Sequence, residues 1–250
     1  MKKEEPKKKS GMPFIIIGLV LVVAIIGGIY LSRPAPSAPA ANNAARPNVN
    51  APAKTSSIPP NAPAGATPPN FTGSPTAQVT VEEFADYQCG SCATAHPVLN
   101  EIKSMYGSRI KFVFRNFPLI SIHDKAYDAA VIAEAAGLQG KFWDMQNQLF
   151  INQSTWISSP NYKQLWNDYA QKIGLDAARL STDVAGLAAK NRVAADLERA
   201  KAIGVNGTPT IYVNGQSVGS NIRVDVLKTA IDAELQKVSA PATNPANANQ

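Results

Sequence analysis

Hydrophobic and polar positions fall into blocks along this chain, and the period changes from block to block. Residues 14–31 (FIIIGLVLVVAIIGGIYL) form eighteen positions without a charge. At about 1.5 Å of rise per residue, such a run just crosses a bilayer core of about 30 Å. Residues 32–75 show no apolar period and hold eleven of the nineteen prolines and no acidic residue. That is the composition of an extended, disordered tether. As a flexible coil it would reach roughly 35 to 40 Å.

Strand spacing begins near residue 77. Residues 78–87 place Val79, Val81, Phe84 and Ala85 at buried positions, and residues 109–116 (RIKFVFRN) alternate with Ile110, Phe112 and Phe114 on one face. Between them, residues 93–106 suit a helix that Pro97 should kink and Gly107 should end. Strand, helix and strand make a βαβ unit, so the two strands are expected to run parallel. Residues 122–203 then read as a helical block, opening on a stripe of small residues at Ala126, Ala129, Ala130, Ala133 and Ala136. Four further helices are expected at residues 141–150, 161–173, 176–185 and 187–203, with Phe142, Trp143, Trp156 and Trp166 as core. Residues 207–213 return to strand, Asn214 and Gly215 signal a two-residue hairpin, and 216–218 give the return strand. A closing helix at 223–238 carries Val226, Leu227, Ala230, Ile231 and Leu235 on one face, and residues 239–250 read as a frayed tail.

The organisation that follows is a basic segment at 1–12, a membrane anchor at 13–31, a tether at 32–76, a folded domain at 77–238 and the tail. Charge sharpens it. Residues 1–76 carry eight Lys or Arg against Glu4 and Glu5, which accounts for the whole net charge of +6, while residues 77–250 carry sixteen of each sign. The folded part is neutral and offers no nucleic-acid surface. Five lysines precede the apolar run and only Arg33 soon follows it, which predicts a cytoplasmic N-terminus and an exported bulk. A cleaved signal peptide is the rival reading, with a shorter apolar region.

Candidate chemistry sits in FADYQCGSCATAHP, residues 84–97, with the chain's two cysteines, Cys89 and Cys92. Cys89 falls where a strand gives way to a helix, and the unpaired amides of a helix start stabilise a thiolate. Cys92 is about one turn on, within reach of a disulfide. The pair reads as a dithiol that exchanges with other proteins' disulfides, and an oxidising compartment outside the cytoplasm suits it. A metal site built with His96 and His123 lacks the usual paired-histidine spacing, and c-type haem attachment would need histidine where Ala93 stands. A purely structural disulfide closing so short a loop would stabilise little. Glu83, six residues before Cys89, is an awkward occupant of a buried strand; there its pKa should rise, and it would accept a proton from the second cysteine or disfavour its thiolate, the alternative being an ordinary surface carboxylate at a strand end. His123 reads as a local polar contact or a position on the rim of the dithiol.

Together these features resemble the DsbA-like thioredoxin-fold thiol–disulfide oxidoreductases in a membrane-anchored form. The resemblance covers residues 77–238 and rests on Cys89-Gly90-Ser91-Cys92, Pro97, Phe117-Pro118-Leu119, His123, Gly140-Lys141-Phe142-Trp143 and Gly207-Thr208-Pro209-Thr210. It implies an α/β thioredoxin fold, βαβ then ββα, with an all-helical insertion at about 122–203. It also implies a cis peptide at Thr208–Pro209 facing the dithiol, backbone hydrogen bonds from Thr208 to a client, and Glu83 as a buried acid beneath the site. Gly90 and Ser91 stand where the best-known strong oxidant of the family has Pro-His. Without that imidazolium the resemblance implies a less oxidising couple.

The expected chemistry is dithiol–disulfide exchange with no metal and no cofactor. Its expected partners are exported client proteins with Cys pairs and a membrane redox partner, either a quinone-linked oxidase or an electron-supplying reductase. The expected place is the bacterial inner membrane, with the catalytic domain in the periplasm or extracytoplasmic space. Oxidase, reductase and isomerase directions stay open at this point, as do a metal-binding chaperone and a passive binding module.

Overall fold

The computed structural model describes residues 57–219 and 221–239. The basic segment, the anchor, the tether up to residue 56 and the tail from 240 lie outside these residues. Among the described residues, no helix is long and apolar enough to cross a membrane.

Strand β1 is Asn70–Gly73, β2 is Val79–Ala85, helix α1 is Gly90–Tyr106 and β3 is Ile110–Asn116. The insertion follows as α2 (Ala126–Gly137), α3 (Phe142–Ile151), α4 (Gln153–Ser158), α5 (Tyr162–Lys172), α6 (Ala177–Ala185) and α7 (Leu187–Ala202). The chain ends its fold with β4 (Thr210–Val213), β5 (Gln216–Ser217) and α8 (Val224–Ser239). The sheet order is β1-β3-β2-β4-β5. β2 runs parallel to β3 and antiparallel to β4, so it is the central strand, paired on both edges. This is a thioredoxin-fold α/β domain with a helical insertion.

Both faces of β2 are covered. Val79 and Val81 pack with Leu99 and Ile102 of α1 and Leu227 and Ile231 of α8, whereas Phe84 packs with Ala200 of α7 and Tyr212. Side chains alternate along a strand, so the consecutive Glu82 and Glu83 point to opposite faces, at 5% and 2% exposure. Glu82 meets Arg115 Nε at 2.7 Å and Arg199 Nη2 at 2.7 Å. Arg115 also reaches Asp196 of α7 at 3.0 Å.

This buried ionic cluster corrects the expected tether. Residues 57–76 belong to the folded domain, and β1 lies within them. Arg115 donates to the carbonyls of Ala64 and Ala66, Arg199 to that of Pro63, and the Ala66 amide to Asp196. Gly65 has φ +77°, and a Cβ there would stand 2.8 Å from Arg115. Apart from Ile58, Ala66 and Phe71, this strap of residues 57–76 is mostly Pro, Ala and small polar residues without an apolar period, so its composition hides it; Arg115, Arg199 and Asp196 hold its backbone and β1 pairs with β3. Three smaller differences follow. α1 begins at Gly90 rather than residue 93 and runs through Pro97 without a break, and Ser239 belongs to α8 rather than to the tail. α4 is an additional helix, too short for a period to reveal.

Asp196 accepts from Arg115, the Ala66 and Asn116 amides and the Asn116 side chain. Asp196→Ala should therefore lower unfolding free energy by about 3–5 kcal/mol, the cost of breaking a buried pair. Arg223→Ala, which removes the solvent-exposed pair with Asp225, should leave it nearly unchanged. Urea unfolding of both variants checks this, and equal losses would refute the cluster's role.

Candidate active site

β2 delivers the chain to the site. After Ala85, residues 86–88 turn, with the Cys89 amide donating to the Asp86 carbonyl at 3.1 Å. Cys89 is the extended N-cap residue of α1, at φ −73° and ψ 122°, and the cap position carries no side-chain hydrogen bond. The first amides of α1 are thus available to the sulfur. Both cysteines are free thiols; Cys89 is 9% exposed and Cys92 is fully buried in the first turn. Gly90 and Ser91 lie exposed between them, and a Cβ at Gly90 would meet nothing within 4 Å.

The two sulfurs have opposite electrostatics. The Cys92 thiol, above all, holds Cys89 down at about 5, helped by Thr208 and by the amides of Cys92 and Ser91, against the opposing effect of burial. Burial pushes Cys92 far above the ordinary thiol range, and the neighbouring Cys89 and Glu83 add to it. The Thr208–Pro209 peptide is cis. In the thiol form Cys89 Sγ donates to the Thr208 carbonyl at 3.5 Å. Thr208 therefore sits beside the reactive sulfur although it is 119 residues away.

Glu83 lies on the α1 face of β2, the face of Val81. Burial raises its pKa to about 7, opposed by the charge of Lys103. Lys103, itself lowered by burial and raised by Glu83, sits over the rings of Trp143 at 4.8 Å and Phe112 at 5.2 Å. Sequence reasoning missed Lys103, although positions 92, 96, 99 and 103 share one helical face.

Three other residues were missed. Asp86 is buried at 1% exposure. Its carboxylate accepts from the Gln88 amide at 2.7 Å, the Leu119 amide at 2.9 Å and His123 Nδ1 at 2.7 Å. The structure so places His123 on the turn before the dithiol. Gln88 donates to Asp124 and accepts from the Lys125 amide. Gln153 of α4 donates to the carbonyls of Tyr87 and Cys89. An aspartate just after a strand is a turn signal; nothing in the sequence marks Gln88 or Gln153. His96 bonds Asn147 and Asn100 and stacks on Phe150, so both histidines face partners other than the sulfurs. Among the described residues, no three His, Cys, Asp or Glu side chains are grouped to hold a metal ion.

A dithiol at a helix start, next to a cis proline on a thioredoxin sheet, defines the class of thioredoxin-fold dithiol proteins. The family described as "Thioredoxin" matches residues 66–233, and the chain belongs to that family. It is similar to a thioredoxin-like oxidoreductase from Silicibacter pomeroyi, at 26% identity and TM-score 0.58, covering 73% of this chain and 95% of that one. It is similar also to oxidised BdbD from Bacillus subtilis, at 26% identity and TM-score 0.56, covering 70% and 98%. A curated relative, the Na(+)/H(+) antiporter NhaA 1 of Mycolicibacterium gilvum, is 37% identical over 146 residues, 58% of this chain and 23% of the relative. The chain thus spans about a quarter of that relative's length, and the antiporter name describes the relative as a whole. The chain shares its fold also with the thiol-disulfide exchange protein α-DsbA2 from Wolbachia pipientis, at 20% identity and TM-score 0.58, covering 66% of this chain and 86% of that one.

Two pH effects follow. Alkylation of Cys89 should rise with a midpoint near pH 5, while Cys92 stays unmodified until the protein unfolds; a midpoint near the ordinary thiol value of 9.0 contradicts this. Glu83 is raised from 4.5 to about 7, so its contribution to stability is complete below about pH 4.5 and is lost as pH rises through about 7. Glu83→Gln removes that loss. Its gain in urea midpoint over the wild type should be larger at about pH 8 than at about pH 4, and an equal gain at both would refute the assignment.

Proposed function

We propose that this protein is a thiol–disulfide oxidoreductase that forms disulfides in exported client proteins through Cys89 and Cys92. The observation that carries the proposal is the N-cap position of Cys89, where the Cys92 thiol and the first helix amides hold its pKa at about 5. A stabilised thiolate favours the reduced protein, and a couple that favours its reduced form passes its disulfide to others.

The exchange balances as follows. A client thiolate attacks Cys89 Sγ of the Cys89–Cys92 disulfide; that S–S bond breaks, and Cys92 leaves and takes a proton. Glu83, beneath α1 and titrating near neutrality, supplies it. The client's second thiolate then attacks the client sulfur of the mixed disulfide and expels Cys89 as a thiolate. The client dithiol loses two electrons and two protons, and the protein's disulfide gains the electrons. A membrane quinone-linked oxidase restores the disulfide. Reductase and isomerase roles use the same site with an electron-supplying partner.

Client binding has two supports. The Thr208 carbonyl lies beside Cys89, where it accepts a backbone N–H from an extended client. Ile120 and Ile122, 68% and 71% exposed, lie on the segment 119–125 that holds the turn before Cys89, and Ile151, 58% exposed, ends α3 two residues before Gln153. Unfolded clients present the apolar side chains that such residues would meet. In this reading residues 13–31 anchor the chain in the bacterial inner membrane, and the domain works in the periplasm or extracytoplasmic space.

Cys92→Ser should trap clients as mixed disulfides through Cys89, and Cys89→Ser should trap none. Non-reducing electrophoresis of protein alkylated in intact cells reads this directly. No adduct with a folded Cys92→Ser variant rejects the oxidoreductase. Equilibration with glutathione fixes the direction: a couple as reducing as thioredoxin, about −270 mV, would reject disulfide formation in favour of reduction.

A further inference from the structure

Besides its internal bonds from the Cys89 and Gln88 amides to Asp86, the turn that precedes the reactive sulfur is held by groups from outside the β2–α1 unit. Asp86 is tied to Leu119 and His123, Gln88 to Asp124 and Lys125, and the carbonyls of Tyr87 and Cys89 to Gln153. Of these ties only Gln153 acts on Cys89 itself.

Gln153 Nε2 lies 2.7 Å from the Tyr87 carbonyl and 2.9 Å from the Cys89 carbonyl. A primary amide nitrogen carries two hydrogens, so one side chain satisfies both. Because both neighbours are acceptors, only the nitrogen end of the amide can face them. Gln153 opens α4, and α4 is itself immobilised. Trp156 is fully buried with its Nε1 on the Leu149 carbonyl at 2.7 Å, and the Ile157 carbonyl accepts from Lys125 Nζ at 2.9 Å. The donor is thus mounted on a fixed element.

We infer that Gln153 is a positioning residue for the dithiol, fixing the extended backbone of Cys89 so that its sulfur meets the helix-start amides and the Cys92 thiol. The helical insertion is then part of the activating structure. The Cys89 carbonyl also accepts the Ala93 amide at 3.2 Å, closing the first turn of α1. Turning that carbonyl away would tilt Cys89 relative to the amides of Ser91 and Cys92, which help hold the thiolate. The ionisable groups facing this turn are Asp86, His123, Asp124 and Lys125, with Glu83 beneath, and none of them bonds Gln153 in the structure.

The inference rests on the proposed dithiol exchange, and its test separates the two. Gln153→Glu keeps the shape but replaces the double donor with an acceptor set against two carbonyls. Gln153→Met keeps the length and removes the donor without adding charge. Thr155→Ala, on the exposed side of the same helix, is the control. The readouts are the pH profile of Cys89 alkylation in full-length protein, the equilibrium with glutathione, and thermal melting. Gln153→Met should shift the alkylation midpoint upward by about one pH unit and the glutathione equilibrium about tenfold toward a less oxidising couple, with Gln153→Glu shifted further. Thr155→Ala should match the wild type. An unchanged midpoint and equilibrium in folded Gln153→Met, even with a lowered melting temperature, would overturn the positioning role and leave the exchange reading intact. A wild-type protein that exchanges no disulfides overturns the functional reading instead.

Discussion

The burial of β2 on both faces is the constraint from which the rest of the structure proceeds. A central strand cannot carry a charge cheaply, yet this one carries two in succession, and alternation sends them to different environments. Glu82 is neutralised by Arg115 and Arg199, whose remaining hydrogens collect the strap carbonyls. Glu83 meets no such partner and is driven toward the neutral acid. One face of the strand gains a rigid joint between sheet, strap and α7; the other holds a buried carboxyl beneath α1, its pKa raised to about 7 by burial against the opposing charge of Lys103. Rigidity matters here because β2 sets where Cys89 leaves the sheet.

The insertion extends that logic to the turn between β2 and α1. A thioredoxin sheet and its first helix can place a cysteine at a helix start, but they leave a turn of four residues whose backbone groups need partners. Gln153 of α4 takes the Tyr87 and Cys89 carbonyls, and the segment 119–125 holds the Asp86 and Gln88 side chains of the same turn. The apolar weight of the insertion, Phe142, Met145, Leu149, Phe150, Trp156 and Trp166, is packed in one cluster with Tyr87, Cys89 and Cys92. The polar ties are therefore carried by a solid body continuous with the site, and displacement of one is displacement of the other.

What was legible in the sequence follows the reach of each signal. Period-two and period-3.6 patterns identified β2, α1, β3, β4 and α8 because each carries its own run of buried apolar side chains. The dithiol and Thr208-Pro209 were legible as short motifs. The strap was not, since its fixed atoms are carbonyls, which every sequence has, and its partners Arg115 and Arg199 lie 49 to 136 residues away. α4 failed for a related reason: six residues give fewer than two turns, and Trp156 alone carries its packing. Lys103 could have been read from the helical face it shares with Cys92. Gln153 could not, because its purpose is visible only once two distant carbonyls are in place.

The Gly-Ser dipeptide shows how a motif reading and a geometric reading weigh the same site. Missing an imidazolium between the cysteines removes one stabiliser of the thiolate, and on the motif alone that loss decides the matter. In the structure the stabilisers are elsewhere: the Cys92 thiol first, then Thr208 and the amides of Cys92 and Ser91, the amides belonging to the helix start whatever side chains stand there. With a pKa of about 5, Cys89 is almost wholly ionised at neutral pH. A thiolate so stabilised is a weaker nucleophile but a much better leaving group. Reduction of a client needs Cys89 as the attacker, whereas oxidation of a client ends with Cys89 as the group expelled. The same electrostatics that soften its attack ease its departure, and in the proposed exchange the two rates together set the equilibrium by which a stabilised Cys89 thiolate passes the disulfide on.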